Sequence, residues 1–432
     1  MEGNIKVVRL IFLAALLVLA VIDYRKPVRL RYFTLAFAAL TLLLVLRCGQ
    51  GIDYFNYSAI YKHIGLPTEI KTEPGFRFFM LLCIKAGWDF PVFAALIGFV
   101  SMGLLYFFIV KYSECRCISL LVVYTIYYMS YFESGIRQNL AMLICCAVVI
   151  PALLMRRTAG NLMAILGIAA AATIHTSALV AVLFIIPCFF TEDAIRRLFK
   201  DRTYLFYLSI TLICVLLCIF SVTFGLKGVI SILPEAIQSR LTKYVALHTY
   251  SMSALMGRIA FVGLASVLYY FTRTKHTRTD QYLYHLYLLG FIVYCALFSS
   301  YTIASRIHAY FRMADIILFA NLLRKCSLPV PAGLPQKIKS VWSLLRKAVP
   351  LCVLLCLLMG YYFKDIHSTR RLSNYRGDSY FYYPYFTYFN IDKMPQYRDP
   401  PFSINWQREE SALEYYEYTG TYPPSENPAD TP

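Results

Sequence analysis

Residues 92–110 read VFAALIGFVSMGLLYFFIV, a run without a single charged side chain. Such a run approaches the ~20 residues that an α-helix needs to cross a hydrocarbon core about 30 Å thick. Similar apolar runs occupy residues 10–21, 34–46, 162–174, 177–190, 204–225, 259–271, 282–298, 316–323 and 350–362. Because lipid offers no partner to unpaired backbone groups, these runs predict an all-α, polytopic integral membrane protein.

The composition agrees with a membrane protein. The 432 residues are 59% hydrophobic and 15% charged, whereas a soluble domain has roughly 45–50% apolar and about 25% charged residues. A net charge of +18 is also compatible with nucleic-acid binding. Charges placed between spans have a simpler origin in membrane topology, so no nucleic-acid partner is expected. The thirteen cysteines lie mostly inside spans and are expected to be buried apolar residues, and neither a metal site nor a cofactor is predicted.

Topology follows from six connections that are rich in Lys and Arg. The positive-inside rule places all six on the cytoplasmic side if an even number of spans separates them. This condition holds if the segment 74–88 is a re-entrant or interfacial helix, and the chain then has about 12 transmembrane helices with both termini outside. The six connections are 25–31, 111–116, 156–157, 196–202, 273–278 and 324–347.

The chain divides by composition into two parts. Residues 1–363 contain the predicted spans, and residues 364–432 form a Tyr-rich tail that this topology places outside the membrane. The basic residues Lys364, Arg370 and Arg371 weigh against that placement of the tail. It is retained because reversing only the last span would leave the preceding basic connection on the wrong side.

Polar residues gather on the predicted outer side. A charged residue just inside the hydrocarbon costs up to ~3 kcal/mol on insertion scales, so such residues are usually functional or internally paired. Their concentration on one leaflet predicts a polar cavity there. The residues are Asp53, Glu73, Arg137, His175 and Arg306.

Each of these residues also has a purely structural interpretation. Asp53 and Glu73 can be helix N-caps, since acidic groups suit that end of the helix dipole. Arg137 can form a structural ion pair, and His175 an interhelical hydrogen bond. Arg306 can be an interface anchor.

The same residues lie in motifs that resemble a known family. The chain is similar, from about residue 20 to about residue 390, to the EpsG family of Wzy-like polymerases of bacterial exopolysaccharide and capsule. The motifs are Gly51-x-Asp53-Tyr54-x-x-Tyr57, Glu73-Pro74-Gly75-Phe76, Ile136-Arg137-Gln138-x-x-Ala141, Ile174-His175-x-Ser177-Ala178-Leu179, Ser305-Arg306-Ile307 with Tyr310-Phe311, and Tyr383-x-Tyr385.

The resemblance implies that residues 1–363 are a polymerase-like domain in the bacterial cytoplasmic membrane. Wzy-type enzymes are transferases that take a growing glycan from undecaprenyl diphosphate. They attach it to the non-reducing end of another lipid-linked repeat, on the outer face of the membrane. The expected partners are an undecaprenyl-diphosphate-linked glycan and membrane lipid, while a chain-length regulator is left open.

The chemistry of this reaction suggests a role for each residue. Arg137 and Arg306 are the candidates for binding the diphosphate, because guanidinium groups bind phosphate oxygens bidentately. The candidates for the general base are His175 and Asp53, ranked ahead of Glu73; Asp53, Arg137 and His175 are thus the predicted catalytic residues. The predicted sugar-binding residues are Tyr54, Tyr57, Glu73, Gln138 and Tyr383.

Three alternative functions remain open from the sequence. A lipid-dependent glycosyltransferase usually has an acidic pair in its first external loop, whereas here Asp53 has no second acid before Glu69. An O-antigen ligase shares the donor chemistry but uses a different acceptor. A polysaccharide transporter or flippase needs polar residues throughout the depth of the bilayer, and these spans have few. The sugar, its linkage and the chain length cannot be read from the sequence.

Overall fold

The computed structural model describes residues 2–51, 53–65, 72–200, 202–225, 250–326, 336–375 and 386–387. The regular secondary structure of these residues is helical apart from one short strand pair, which confirms the all-α prediction. The helices are α1 Glu2–Arg25, α2 Leu30–Val45, α3 Tyr54–Lys62, α4 Pro74–Lys85, α5 Phe90–Tyr112, α6 Arg116–Val122, α7 Ile136–Ile144, α8 Ile150–Met155, α9 Thr158–Ile174, α10 Glu192–Leu198, α11 Thr203–Phe224, α12 Met252–Thr272, α13 Arg278–Ala296, α14 Tyr301–Arg312, α15 Asp315–Lys325 and α16 Gln336–Tyr375.

Several helices have the length and composition of membrane spans. Among the described residues five qualify, and a sixth is added if the pair Thr176–Cys188 and Glu192–Leu198, bent by 65°, forms one span. The chain is therefore a multi-pass membrane protein. The total of twelve stays a prediction, because other apolar helices, such as α2 and α9, are shorter than a full span. The five are Phe90–Tyr112, Ile136–Met155, Tyr204–Phe224, Met252–Lys275 and Leu345–Ile366.

The surface of α11 shows most directly that the protein lies in lipid. Only 11% of its most apolar 18-residue stretch is buried inside the protein, and Leu208, Leu212 and Ile219 are all exposed. An apolar face of this extent is unfavourable in water but matches hydrocarbon tails.

The segment predicted to be re-entrant or interfacial is helical as α4 Pro74–Lys85, with a proline at its first position, where the missing N–H costs nothing. Its 12 residues extend about 18 Å at 1.5 Å per residue. That length is well short of a hydrocarbon core of about 30 Å.

The described residues of the six basic connections lie at one end of the helix bundle. Arg324 donates to the carbonyl of Tyr24 at 2.8 Å, and Lys325 forms ion pairs with Glu114 and Asp280. These contacts join residues in or beside four of the connections. A 2.7 Å bond from Arg156, in the third connection, reaches the carbonyl of Cys188. A 3.0 Å contact links His276, in the fifth connection, to Glu192, which begins the helix that leads into the fourth. We call this the basic end.

Non-α helical geometry interrupts the bundle in three places. Residues Val123–Ser134 and Cys145–Val149 are π-helical, and Thr176–Cys188 are 3₁₀-helical. Wide π turns are frequent at functional sites. The first of them leads directly into Gly135 and the start of α7.

A two-residue strand returns the tail to the bundle. Strand β1, Arg47–Cys48, pairs antiparallel with β2, Phe386–Thr387. Helix α16 continues to Tyr375, beyond residue 363, where the sequence suggested that the tail begins. The remainder of the tail, residues 376–385 and 388–432, lies outside the described residues.

Candidate active site

Glu73 stands at the centre of a polar cluster at the end of the bundle opposite the basic end. It is the N-cap residue of α4, but its side chain makes no cap hydrogen bond. Its Oε2 instead accepts a 2.7 Å bond from Nη1 of Arg137. Its Oε1 lies 3.2 Å from Nδ1 of His175 and 3.3 Å from the backbone nitrogen and hydroxyl of Thr176. One carboxylate thus joins α4, α7 and the α9 terminus.

The ionisation of Glu73 follows from these contacts. Burial alone would raise the pKa of Glu73, but the hydrogen bond from His175 and the charge of Arg137 lower it to about 2. A carboxylate held in this way is a weak proton acceptor near neutral pH. Its chemistry suits it to orient Arg137 and His175.

Arg137 lies in an aromatic recess. Its guanidinium carbon is 5.1 Å from the ring centroid of Tyr57 and 5.7 Å from that of Phe76. The stacked rings fix the plane of the guanidinium group. Its Nε is buried and has no hydrogen-bond partner among the described residues, so one strong donor remains for a bound molecule.

Asp53 lies within the electrostatic field of both candidate phosphate-binding arginines. It precedes α3 as the N-cap residue, again without a side-chain cap bond. Burial raises the pKa of Asp53 even though the charges of Arg306 and Arg137 lower it. A carboxylate with a raised pKa is a better proton acceptor than Glu73.

Two glycines in the motifs are required by close approach. A Cβ on Gly51 would lie 2.2 Å from the carbonyl oxygen of Glu133, and the residue has φ +99°, a conformation that favours glycine. A Cβ on Gly75 would lie 2.4 Å from Oγ1 of Thr173. These positions bring the loop carrying Asp53 and the start of α4 against their neighbours.

The predicted sugar-binding residues have different surroundings. Gln138 donates at 2.7 Å to the backbone carbonyl of Arg306, which ties α7 to α14. Tyr54 is buried, with its hydroxyl 3.3 Å from Sγ of Cys48. Tyr383 lies outside the described residues. Contact with sugar stays a prediction for all of these side chains.

The structural interpretations of the sequence are partly realised. Arg137 does form an ion pair and His175 does form an interhelical contact, both with Glu73. Asp53 and Glu73 occupy N-cap positions without capping through their side chains. The cluster brings Asp53, Glu73, Arg137 and His175 together, with Arg306 acting on Asp53.

A family model matches most of the chain. The EpsG family model covers residues 30–387. The chain belongs to the EpsG family. The match ends at the last residue of β2, and membership links this membrane protein to exopolysaccharide synthesis. No curated protein and no solved structure matched the chain in the same comparisons.

Two further polar groups lie at this end and were not among the residues predicted from the sequence. Arg9 of α1 and Glu133 form a buried ion pair behind Gly51. Arg258 of α12 reaches Ser305, the residue before Arg306, through a 3.2 Å bond. Arg9 and Arg258 each directly precede an apolar run, at 10–21 and 259–271, and a single charge at such a position is the signal that the sequence contains.

Proposed function

We propose that this EpsG-family protein polymerises repeat units carried on a polyprenyl diphosphate at the outer face of the cytoplasmic membrane. The observation that carries the proposal is Arg137, a half-buried guanidinium that lies beside an ionised carboxylate and near Asp53, and whose Nε has no partner among the described residues. A diphosphate leaving group calls for such donors, which stay charged and bind phosphate oxygens in pairs.

The reaction is a glycosyl transfer between two lipid-linked molecules. A hydroxyl oxygen at the non-reducing end of the acceptor forms a bond to the anomeric carbon of the donor glycan. The bond from that carbon to the diphosphate oxygen breaks, and polyprenyl diphosphate leaves with the bonding electrons. Arg137 and Arg306 stabilise the charge that develops on the diphosphate, where preorganised donors contribute most.

Asp53 receives the proton of the acceptor hydroxyl in this mechanism. Its raised pKa and its position near both arginines support this role, whereas the low pKa of Glu73 does not. Glu73 and His175 hold Arg137 in place. Tyr57 supplies an aromatic wall beside Arg137, of the kind that packs against sugar rings.

The alternative functions differ from this proposal in the acceptor that they use or because they catalyse no reaction. An O-antigen ligase would use the same arginines with another acceptor. A flippase would need polar side chains along the whole path, while the polar cluster described here is confined to one end of the bundle. A lipid-dependent glycosyltransferase usually has an acidic pair in its first external loop, and here Glu73 is engaged by Arg137 and His175.

Reconstitution tests the proposal. The purified protein in proteoliposomes receives a purified polyprenyl-diphosphate-linked repeat unit, with no nucleotide sugar and no added metal. We expect a ladder of polymer, with one polyprenyl diphosphate released per linkage formed. Asp53→Asn, which keeps the size of the side chain, should remove the ladder. Folded wild-type protein that forms no linkage, or that moves the intact lipid-linked unit across the bilayer, would overturn the proposal.

A further inference from the structure

A second polar recess lies at the same end of the bundle, between α12 and α16. It is a cavity of about 300 Å³, at the lower limit of the roughly 300–1,000 Å³ typical of ligand pockets. We call it the α12–α16 groove. It is lined by Ser253, Ala254, Gly257, Arg258, Phe261, Tyr301, Arg312, Cys356, Leu357, Gly360, Tyr361, Lys364 and Asp365.

Positive charge exceeds negative charge in this groove. Its lining has three cationic side chains, Arg258, Arg312 and Lys364, and one carboxylate, Asp365. Arg312 is neutralised by Asp315, with Nε and Oδ2 3.2 Å apart.

Arg258, by contrast, forms no ion pair within the described part of the chain. Its hydrogen bonds go to neutral groups, namely Nδ1 of His308 at 3.2 Å, the carbonyl of Ala254 at 3.0 Å and Oγ of Ser305 at 3.2 Å. Its guanidinium carbon also lies 4.0 Å from the ring centroid of Tyr294. A cation at this depth without a counter-ion is costly. An anionic ligand would supply the missing charge.

The groove changes from polar to apolar along its length. Its lining on α16 runs from Lys364 and Asp365 through Gly360 to Leu357 and Cys356. A Cβ at Gly360 would meet nothing within 4 Å, so the glycine leaves the groove wide. Cys356 is exposed on the apolar surface of α16. This gradient matches a phosphate head group followed by a hydrocarbon chain.

The groove is coupled to the candidate active site. Arg258 bonds to Ser305, which precedes Arg306 on α14, and Asp365 accepts a 3.0 Å bond from Ser130 in the π-helical segment that leads to α7. A polymerase handles two lipid-linked molecules at once, and the diphosphate of only one of them reacts. The other diphosphate also needs a binding site within reach of the same active site.

We propose that the α12–α16 groove binds the phosphate head group of the second lipid-linked molecule, the acceptor, with its polyprenyl chain directed along α16. This inference rests on the proposed function. Arg258 and Lys364 contact the phosphate oxygens, while Gly360, Leu357 and Cys356 border the first part of the chain.

Two native cysteines on α16 provide a direct test. Cys356 lines the groove, whereas Cys352, also exposed and one turn away, does not. Purified protein is alkylated with N-ethylmaleimide, and each site is followed by mass spectrometry. The probes are undecaprenyl diphosphate, undecaprenol, phosphatidylglycerol and inorganic diphosphate.

Undecaprenyl diphosphate at about four times its Kd should slow alkylation of Cys356 about fivefold, because only the unoccupied groove reacts. The rate at Cys352 should not change. Arg258→Gln should abolish the protection. Lys364→Gln should weaken it and, because Lys364 is exposed, this variant can replace Arg258→Gln if the latter does not fold.

Equal protection by undecaprenol or phosphatidylglycerol would overturn the proposal in favour of general lipid contact. Equal protection by inorganic diphosphate would show that the groove does not recognise the lipid part of the molecule. Equal slowing of alkylation at Cys352 would show that the protection is not specific to the groove. Arg137→Ala should retain the protection of Cys356 while forming no polymer. Loss of the proposed polymerase activity is therefore distinguishable from loss of the groove.

Discussion

Two carboxylate–guanidinium pairs lie close together in this protein and have opposite surroundings. In the Arg9–Glu133 pair the side chains are 4% and 0% exposed, and Glu133 Oε1 accepts from Arg9 at 2.8 Å. In the Arg137–Glu73 pair they are 22% and 16% exposed. Similar ion-pair chemistry is sealed inside the protein in the first case and open to a ligand in the second.

The sealed pair supports the loop that carries Asp53. Arg9 contacts Gln50 at 3.2 Å as well as Glu133, and Arg47 reaches the carbonyl of Glu133 at 3.5 Å. The open pair uses its carboxylate to hold His175 and leaves Nε of Arg137 without a partner among the described residues. We infer that the first pair maintains geometry and the second takes part in the reaction.

The largest expected effect is the loss of protein stability when the sealed pair is broken. Arg9→Met leaves Glu133 buried without its partner and should lower the free energy of unfolding by about 3–5 kcal/mol. The double variant Arg9→Met/Glu133→Leu should recover most of that loss, because no buried charge remains. Denaturation in detergent micelles measures both. An unchanged unfolding midpoint for Arg9→Met would mean that the pair is dispensable.

The next effect is on the activity of the open pair. Arg137→Ala and Arg137→Lys should each lower polymer formation at least ~100-fold, because a lysine lacks the planar fork that binds two phosphate oxygens. Both variants should remain inserted in the membrane, with melting temperatures well above that of Arg9→Met. Full activity in Arg137→Lys would rule out bidentate phosphate binding.

A smaller effect is expected at the histidine that shares Glu73. His175→Ala removes one of the contacts that hold the carboxylate and should lower turnover about tenfold, equivalent to about 1.4 kcal/mol for one lost hydrogen bond. Binding of the lipid-linked repeat should change less. Steady-state kinetics separate the two, and an equal loss in both would assign His175 to binding or to structure alone.

The smallest effect is a change in the pH profile. A general base acts when deprotonated, so the rate should rise with pH through the pKa of Asp53, which burial raises. Glu73, with a pKa of about 2, should contribute no limb in the accessible range. Glu73→Gln should therefore keep the acidic limb at the same pH while lowering the rate. Loss of the acidic limb of the pH profile in Glu73→Gln would instead assign the role of general base to Glu73.

The sequence was sufficient for the fold class and for the residues of the open cluster. Long uncharged runs have only one stable form in lipid, and the motif residues were conspicuous as polar side chains at the ends of those runs. It was insufficient for the pairing within the cluster. The contacts of Glu73 with Arg137 and His175 join residues that are 64 and 102 positions apart, and no local pattern specifies such distances.

The sequence also could not distinguish capping from catalysis at Asp53. Both acids precede helices, where capping is the ordinary role of an acidic side chain, yet neither side chain makes that bond. Arg9 and Arg258 were not selected because each is a single charge directly before an apolar run. Only the packing of distant helices reveals that Arg9 has a carboxylate partner and that Arg258 forms no ion pair within the described residues.

The lack of room for a side chain at Gly51 and Gly75 has a consequence for recognising relatives of this protein. These positions are fixed by the space left beside Glu133 and Thr173, so the two glycines report how closely the backbones approach and not the chemistry of the cluster. Under the proposed mechanism, a homologue that keeps both glycines but has lost Asp53 or Arg137 would keep this packing and form no glycosidic bond. Such inactive relatives should be sought by their side chains and not by their overall similarity.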